Sequence, residues 1–180
     1  MTSDTNHTSK GDLLSRSEHE KRILERDAAK LFMRRFEQEF GEPMRHIWHN
    51  EPAKPDISCY FQNERLDLEV AHLYATAEEA RHTRNGDKES DERLWDYLAE
   101  LVTLDPCQQL KTALFRLLNS KSQKHYDSER VWLIIRNVSP IWDRPQIVAT
   151  LKNFDMAEHP FEQIWILPDF EGQDNLIQVV

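Results

Sequence analysis

The stretch KPDISCYFQNERLDLEVAHLY, Lys54 to Tyr74, contains two short runs in which apolar residues recur at alternate positions. Such alternation is typical of half-buried strands, and it predicts strands at Asp56–Gln62 and Arg65–Leu73. The residues Asn63 and Glu64 between them are then expected to form the loop of a hairpin. The two strands should therefore lie side by side in an antiparallel pair.

The acidic residues of this hairpin occupy positions where a strand rarely holds them. Asp56 opens the first strand directly after a proline, and Glu69 lies inside the second strand. Because residues two apart share a face of a strand, Asp67, Glu69 and Ala71 face the same side. A solvated sheet face would explain Asp67 and Glu69. Alternatively, Asp56 and Glu69 converge from adjacent strands on a hard cation such as Mg²⁺, which prefers oxygen ligands; the order of the surrounding elements favours this second explanation.

Helical and strand patterns alternate along the rest of the chain. Apolar residues at spacings of three and four predict helices, and short apolar β-branched runs predict strands. The elements predicted outside the hairpin are a helix at Ser17–Phe40, a strand at Met44–Asn50, a short helix around 95–102, a helix from Pro106 to about Lys124, a strand at Arg130–Val138, a helix at Arg144–Phe154, and strands at Gln163–Phe170 and Asn175–Val180. This order predicts an α/β fold in which helices flank a mixed sheet.

The length of 180 residues fits one domain with a sizeable core. We expect a disordered polar tail at 1–14, a single domain at 15–180 and, within it, a mobile surface loop at 76–92. The chain has no apolar run near the ~20 residues that a membrane span needs. Its polar start also lacks the pattern of a signal peptide. These features predict a cytoplasmic protein with no membrane contact.

The charge of the chain is acidic overall but unevenly distributed. The formal net charge of −9 argues against a protein that coats nucleic acid without selectivity. Residues 101–150 reverse the sign, with 7 Lys and Arg against 4 Asp and Glu counted along the sequence. This basic segment leaves room for one face that contacts phosphates.

The motif Pro55-Asp56, followed after thirteen positions by Glu69-Val70-Ala71, resembles that of the PD-(D/E)XK nuclease superfamily. The resemblance spans roughly 17–138 and implies a restriction-endonuclease-like α-β-β-β-α-β core, here with an additional C-terminal helix and strands. It implies a nuclease that hydrolyses phosphodiester bonds with Mg²⁺ or Mn²⁺, with DNA favoured over RNA. Asp56 and Glu69 would then hold the metal, and the Val70 carbonyl would be a third ligand. The resemblance is also compatible with a homodimer.

One position departs from the family pattern, because the lysine expected two residues after the glutamate is Ala71. In some members of the superfamily this lysine has moved to the following helix. The predicted sheet-facing stripe of that helix consists of Leu110, Leu114 and Leu117. Continuing the stripe by four and then three residues leads to Lys121 and Lys124, so both are candidate catalytic residues, with Lys121 preferred. The alternative is that these lysines only complement the dipole of the last helical turn.

The first helix offers a further acidic candidate for the site. Glu25 and Glu20 lie near its apolar stripe, and in this superfamily an acidic residue of the first helix often supports the metal. We carry Glu25 as a metal ligand, although acidic residues early in a helix also complement its dipole.

Two functional hypotheses follow from these residues. The first is the Mg²⁺-dependent nuclease, with Asp56, Glu69 and a lysine as its catalytic groups. The second is a nuclease-like fold that is catalytically inactive and binds a protein partner, a class favoured by Ala71 and the acidic net charge.

Overall fold

The computed structural model describes residues 10–50, 54–75, 105–156 and 158–180. The elements within these ranges are α1 (Lys10–Phe40), β1 (Met44–His49), β2 (Ile57–Phe61), β3 (Glu64–Leu73), α2 (Pro106–Ser122), β4 (Val131–Asn137), α3 (Arg144–Leu151), β5 (Gln163–Leu167) and β6 (Ile177–Gln178). Every helix and strand predicted within the described residues is present. The predicted mobile loop at 76–92 and the short helix around 95–102 lie outside them.

The strands form one six-stranded sheet in the order β1-β2-β3-β4-β5-β6. The pairs β1–β2, β2–β3 and β5–β6 are antiparallel, whereas β3–β4 and β4–β5 are parallel. The predicted α/β class with a mixed sheet flanked by helices is therefore confirmed. The parallel pairs adjoin the helical connections, as expected because a parallel strand must be reached by a crossover.

Helix α1 covers one face of the sheet with large aromatic side chains. Phe32 is fully buried, and the Phe36 ring centroid lies 5.6 Å from that of Trp132 and 5.4 Å from that of Trp165. The helix ends at Gly41, whose φ of 72° and N–H···O bond of 2.9 Å to Glu37 form a left-handed cap. Its start at Lys10 is seven residues before the predicted Ser17, so residues 10–14 of the predicted tail are helical.

Helices α2 and α3 cover the opposite face with mainly aliphatic side chains. Asp105 caps α2 by accepting a hydrogen bond of 3.1 Å from the Cys107 N–H, and a proline occupies the first turn. The buried stripe of α2 consists of Leu110, Leu114 and Leu118. It packs with the residues of β3 and β4 that point away from α1, including Leu133 and Ile135. Each face of the sheet thus has its own apolar core.

The turn between β2 and β3 consists of Gln62 and Asn63, one residue earlier than predicted. Their φ values of 54° and 65° place both in the left-handed region, as in a two-residue type I′ hairpin. The resulting register pairs Phe61 with Glu64 and Ile57 with Leu68. Strand β2 therefore begins opposite Leu68, while β3 continues beyond that point to residue 73. The candidate site lies where β3 extends beyond β2.

No helix in the described ranges is long and apolar enough to span a membrane.

Candidate functional site

Asp56 lies at the start of β2, opposite the part of β3 that extends beyond the hairpin. Its Oδ2 accepts a hydrogen bond of 2.9 Å from the Val70 N–H. Its own carbonyl accepts one of 3.2 Å from the Asn50 N–H, which ties it to the end of β1. The carboxylate thus takes the position that a backbone carbonyl would have if β2 were longer. The register places Asp56 next in line to pair with Glu69, as the hairpin predicted in coarse form.

Glu69 is buried on the face of the sheet that α2 covers, with 3 % of its surface exposed. Its Oε1 accepts hydrogen bonds from Lys121 Nζ at 2.6 Å and from Lys124 Nζ at 3.3 Å. The acidic face is therefore not solvated, contrary to the first of the two explanations weighed for it. A buried carboxylate needs such partners because desolvation of an isolated charge is very costly.

Lys121 approaches Glu69 because it continues the buried stripe of α2. Its side chain is 18 % exposed, compared with 53 % for Lys124. Besides Glu69, the Lys121 ammonium donates a hydrogen bond of 3.1 Å to the Val70 carbonyl. Ala71, where the family pattern has lysine, lines the same cavity as Lys121. The amine of Lys121, on α2, thus contacts Glu69. In the family pattern, the lysine that accompanies this glutamate follows it by two residues on the same strand.

Glu25 comes from α1 and is buried, with 6 % of its surface exposed. The Lys21 ammonium, one turn earlier, lies 3.3 Å from its Oε1. Burial and the nearby charge of Asp56 raise the pKa of Glu25 from 4.5 to about 7, against the opposing effects of Lys21 and Lys121. Glu25 therefore belongs to the same electrostatic group as Asp56.

The carboxylates of the site repel one another. Burial and the charge of Glu69 raise the pKa of Asp56, while the Val70 N–H and the amines of Lys121 and Lys21 act in the opposite direction. Three acids, Glu25, Asp56 and Glu69, are balanced by three amines, Lys21, Lys121 and Lys124.

The donor set consists of oxygen atoms of the kind that Mg²⁺ prefers, namely the three carboxylates and the Val70 carbonyl. Within the residues that the structure describes, however, no three His, Cys, Asp or Glu side chains form a ready-made metal site. Lys121 already contacts two of the four candidate ligands, Glu69 and the Val70 carbonyl.

Asp67 shares the face of Glu69 but has a different role. Its Oδ1 accepts a hydrogen bond of 2.9 Å from Arg65 Nε and another from the Ser58 hydroxyl. The Ser58 hydroxyl also lies 2.9 Å from Asn50 Oδ1 and accepts a hydrogen bond of 3.0 Å from Arg65 Nη2. This network satisfies the buried carboxylate and leaves Asp67 outside the candidate site.

Sequence reasoning missed two residues of the site and the cavity beside it. Lys21 pairs with Glu25, a spacing of four on a helix that the sequence does show. The Tyr126 hydroxyl donates a hydrogen bond of 3.2 Å to the Lys121 carbonyl, and burial together with the charge of Glu69 raises the pKa of that phenol. A cavity of about 600 Å³ lies between α1, the end of β3 and α2, and Asp56 and Glu25 line it.

Among the described residues, no three histidines meet at the site. His49, on β1, lines a pocket together with Asp56 and Glu69. His72, on β3, lines the cavity of about 600 Å³, and His46 lies on β1. Burial, with the charges of Arg136 and Lys121, lowers the pKa of His72 to about 4, so its imidazole is neutral at pH 7.

A scan against protein-family models and searches of curated proteins and of solved structures found no match to this chain.

Proposed function

We propose that the protein is a Mg²⁺- or Mn²⁺-dependent nuclease with a divergent restriction-endonuclease-like fold. The observation that carries this proposal is the position of Lys121, whose amine donates to Glu69 Oε1 at 2.6 Å and to the Val70 carbonyl at 3.1 Å. Ala71 leaves the strand without its expected lysine, and α2 supplies an amine beside the same glutamate. The site therefore places an amine, Lys121, in direct contact with a carboxylate, Glu69.

Asp56, Glu69 and the Val70 carbonyl are the groups that would hold the metal, and Glu25 would support it from α1. Their fit rests on donor chemistry, because all are oxygen ligands. Burial and the charge of Glu69 raise the pKa of Asp56, and a cation would relieve the repulsion between the two carboxylates. When bound, the ion would lower the pKa of a coordinated water and offset charge on the phosphate.

The protein groups have separate tasks in this proposal. The Asp56 carboxylate is held in place at the start of β2 by the hydrogen bond of 2.9 Å from the Val70 N–H. The Lys121 ammonium orients the attacking water and stabilises the negative charge that develops on the phosphate. Burial of Glu69 and Lys121 strengthens these interactions, since the local dielectric is lower than in water.

The second candidate function is a catalytically inactive module that binds a protein partner. It is favoured by the charge balance of the site, in which three amines already neutralise three carboxylates. A purely structural ion pair between Lys121 and Glu69 would satisfy both groups without any metal.

Cleavage assays on single- and double-stranded DNA and RNA separate the two candidates. We expect wild-type protein to cleave with Mg²⁺ or Mn²⁺ and not with Zn²⁺ or EDTA. Asp56→Ala should abolish cleavage, and Asp56→Asn should do the same although it keeps an oxygen for the Val70 N–H. Asp155→Ala is the control, because Asp155 is exposed and distant in sequence from the site.

Lys121→Met tests the amine and should reduce kcat by roughly 100-fold or more. Lys111→Met, an exposed position on the same helix, is its matched control. Circular dichroism establishes that each variant is folded. Full activity of folded Asp56→Ala would reject Asp56 and its neighbours as the nuclease centre. Absence of cleavage by the wild type under every metal condition would reject the nuclease and favour the binding module.

A further inference from the structure

The cavity beside the carboxylates extends along one flank of α2. It has a volume of about 600 Å³; α2 contributes Arg116, Ser120 and Lys121 to its lining, and Lys124 follows the end of the helix. Helical geometry places residues four apart on one row, with a rise of roughly 6 Å between them. Arg116 and Ser120 therefore form a polar row on α2 that leads away from Lys121 and Glu69.

Arg116 differs from the other cations around this cavity. Lys21 is paired with Glu25, and both Lys121 and Lys124 are paired with Glu69. Arg116 is exposed at the rim of the cavity, and among the described contacts it has no ion pair or hydrogen bond. Its guanidinium offers five donors in a planar fork that matches the oxygens of a phosphate.

Two further polar groups of the cavity also lack partners in the described structure. Ser120, one turn after Arg116, is exposed and has no hydrogen bond there, whereas His72 Nε2 is buried without one. Buried polar atoms are almost always satisfied by protein, water or a bound molecule. The cavity thus combines an unpaired cation with neutral polar groups.

We propose that Arg116 and Ser120 bind a second phosphate of a nucleic-acid strand whose scissile phosphodiester lies beside Glu69 and Lys121. The placement of the scissile group rests on the proposed function, whereas the second phosphate rests on the cavity and its unpaired guanidinium. A nucleic-acid strand fits this row because it presents anionic phosphates repeatedly along its length. The substrate class is then an extended strand rather than a molecule with an isolated phosphodiester.

The test is the affinity of a short fluorescein-labelled single-stranded DNA oligonucleotide, measured by fluorescence anisotropy in EDTA so that no cleavage occurs. Arg116→Gln should weaken binding roughly tenfold, the effect of losing one charge-assisted contact. It should also reduce the slope of log K against log salt concentration by about 0.7, the value expected for one phosphate contact on a single strand. A structural role of Arg116 would not change that slope.

Lys111→Gln is the matched control, because it removes the same charge from an exposed position on the opposite flank of α2. We expect its Kd and salt slope to equal those of the wild type. Equal effects of Arg116→Gln and Lys111→Gln, or no binding by the wild type, would overturn the proposal. If Arg116→Gln weakened the binding of a polyglutamate peptide by the same factor, the proposal would also be overturned, because the ligand would then be an acidic protein.

The two proposals fail separately. If the wild type does not cleave with any metal but its binding depends on Arg116 as expected, the nuclease is rejected and the phosphate subsite stands. If the wild type cleaves and Arg116→Gln binds normally, the subsite is rejected and the nuclease stands.

Discussion

The ionisation of Glu25 is unfavourable in the folded protein. Its carboxyl is buried beside Asp56, and these two influences raise its pKa from 4.5 to about 7. An acid whose pKa is higher in the folded state is destabilised when it ionises there. As the pH rises from 4.5 through 7, ionisation of Glu25 should therefore lower the free energy of unfolding. Below pH 4.5 Glu25 should have no effect on that free energy.

Glu25→Gln is expected to stabilise the metal-free protein at pH 8 by about 1 to 2 kcal/mol, because the amide does not ionise. At pH 4 the variant and the wild type should be equally stable. Urea denaturation in EDTA at both pH values measures the difference, with Glu18→Gln, exposed on the same helix, as the control. A gain of the same size at pH 4 would show that ionisation is not the cause.

Individual residues of the site differ in how far the sequence reveals them. Asp56 and Glu69 are predictable because strand alternation and a hairpin together restrict where two acids can meet. Lys121 is predictable because a cation continues an apolar helical stripe. The pairing of Asp67 with Arg65 is not predictable from the sequence, because it depends on the side-chain rotamers on one face of the sheet. The unpaired state of Arg116 likewise depends on which of its neighbours already have partners.

At the scale of elements, the turn sets the relation between the two strands that carry the site. The predicted loop at Asn63 and Glu64 would place Asp56 opposite Ala71, whereas the observed turn at Gln62 and Asn63 places it in line with Glu69. The alternation of apolar residues is satisfied by both registers, because they differ by two residues. Only the backbone conformation of the turn distinguishes them. That conformation is a cost for Gln62, which is not a residue that readily adopts positive φ.

Replacing Gln62 tests this account of the turn. Gln62→Asn should raise the free energy of unfolding by about 0.5 kcal/mol, because asparagine tolerates the left-handed region. Gln62→Val should lower it by about 1 kcal/mol or more, since a β-branched residue does not. Urea denaturation gives both values. Glu42→Ala is the control, because it removes the 2.6 Å hydrogen bond from Gln62 Nε2 and leaves the backbone unchanged; a loss equal to that of Gln62→Val would assign the effect to this bond.

For the whole molecule, the sheet separates two apolar cores and leaves the ionic groups at the place where neither core is complete. Helix α1 packs on one face with Phe32 and Phe36, and α2 packs on the other with Leu110 and Leu114. Both helices reach past the start of β2, so Glu25 and Lys121 approach Asp56 from opposite sides. The α/β class and the order of elements are predictable from the alternation of patterns. The meeting of the two helices at this edge is not, because it depends on where β2 stops.

Metal binding should therefore register in the stability of the whole protein. A ligand that binds only the folded state stabilises it, by about 2.7 kcal/mol when its concentration is 100 times Kd. We expect Mg²⁺ and Mn²⁺ to raise the Tm of the wild type in calorimetry, and Asp56→Asn to remove that increase.

Lys121→Met should lower the stability of the metal-free protein by about 3 kcal/mol, because Glu69 loses its closest partner.

The Lys121→Met variant also tests whether the metal and the Lys121 ammonium compete for the same two ligands. Without the Lys121 amine, Glu69 Oε1 and the Val70 carbonyl are free for a cation, so the increase in Tm with Mg²⁺ should be larger than in the wild type. Lys111→Met should respond to the metal as the wild type does. If Mg²⁺ and Mn²⁺ leave the Tm of both the wild type and Lys121→Met unchanged, the carboxylates do not form a metal site, and the contact between Lys121 and Glu69 is a structural ion pair between α2 and the sheet.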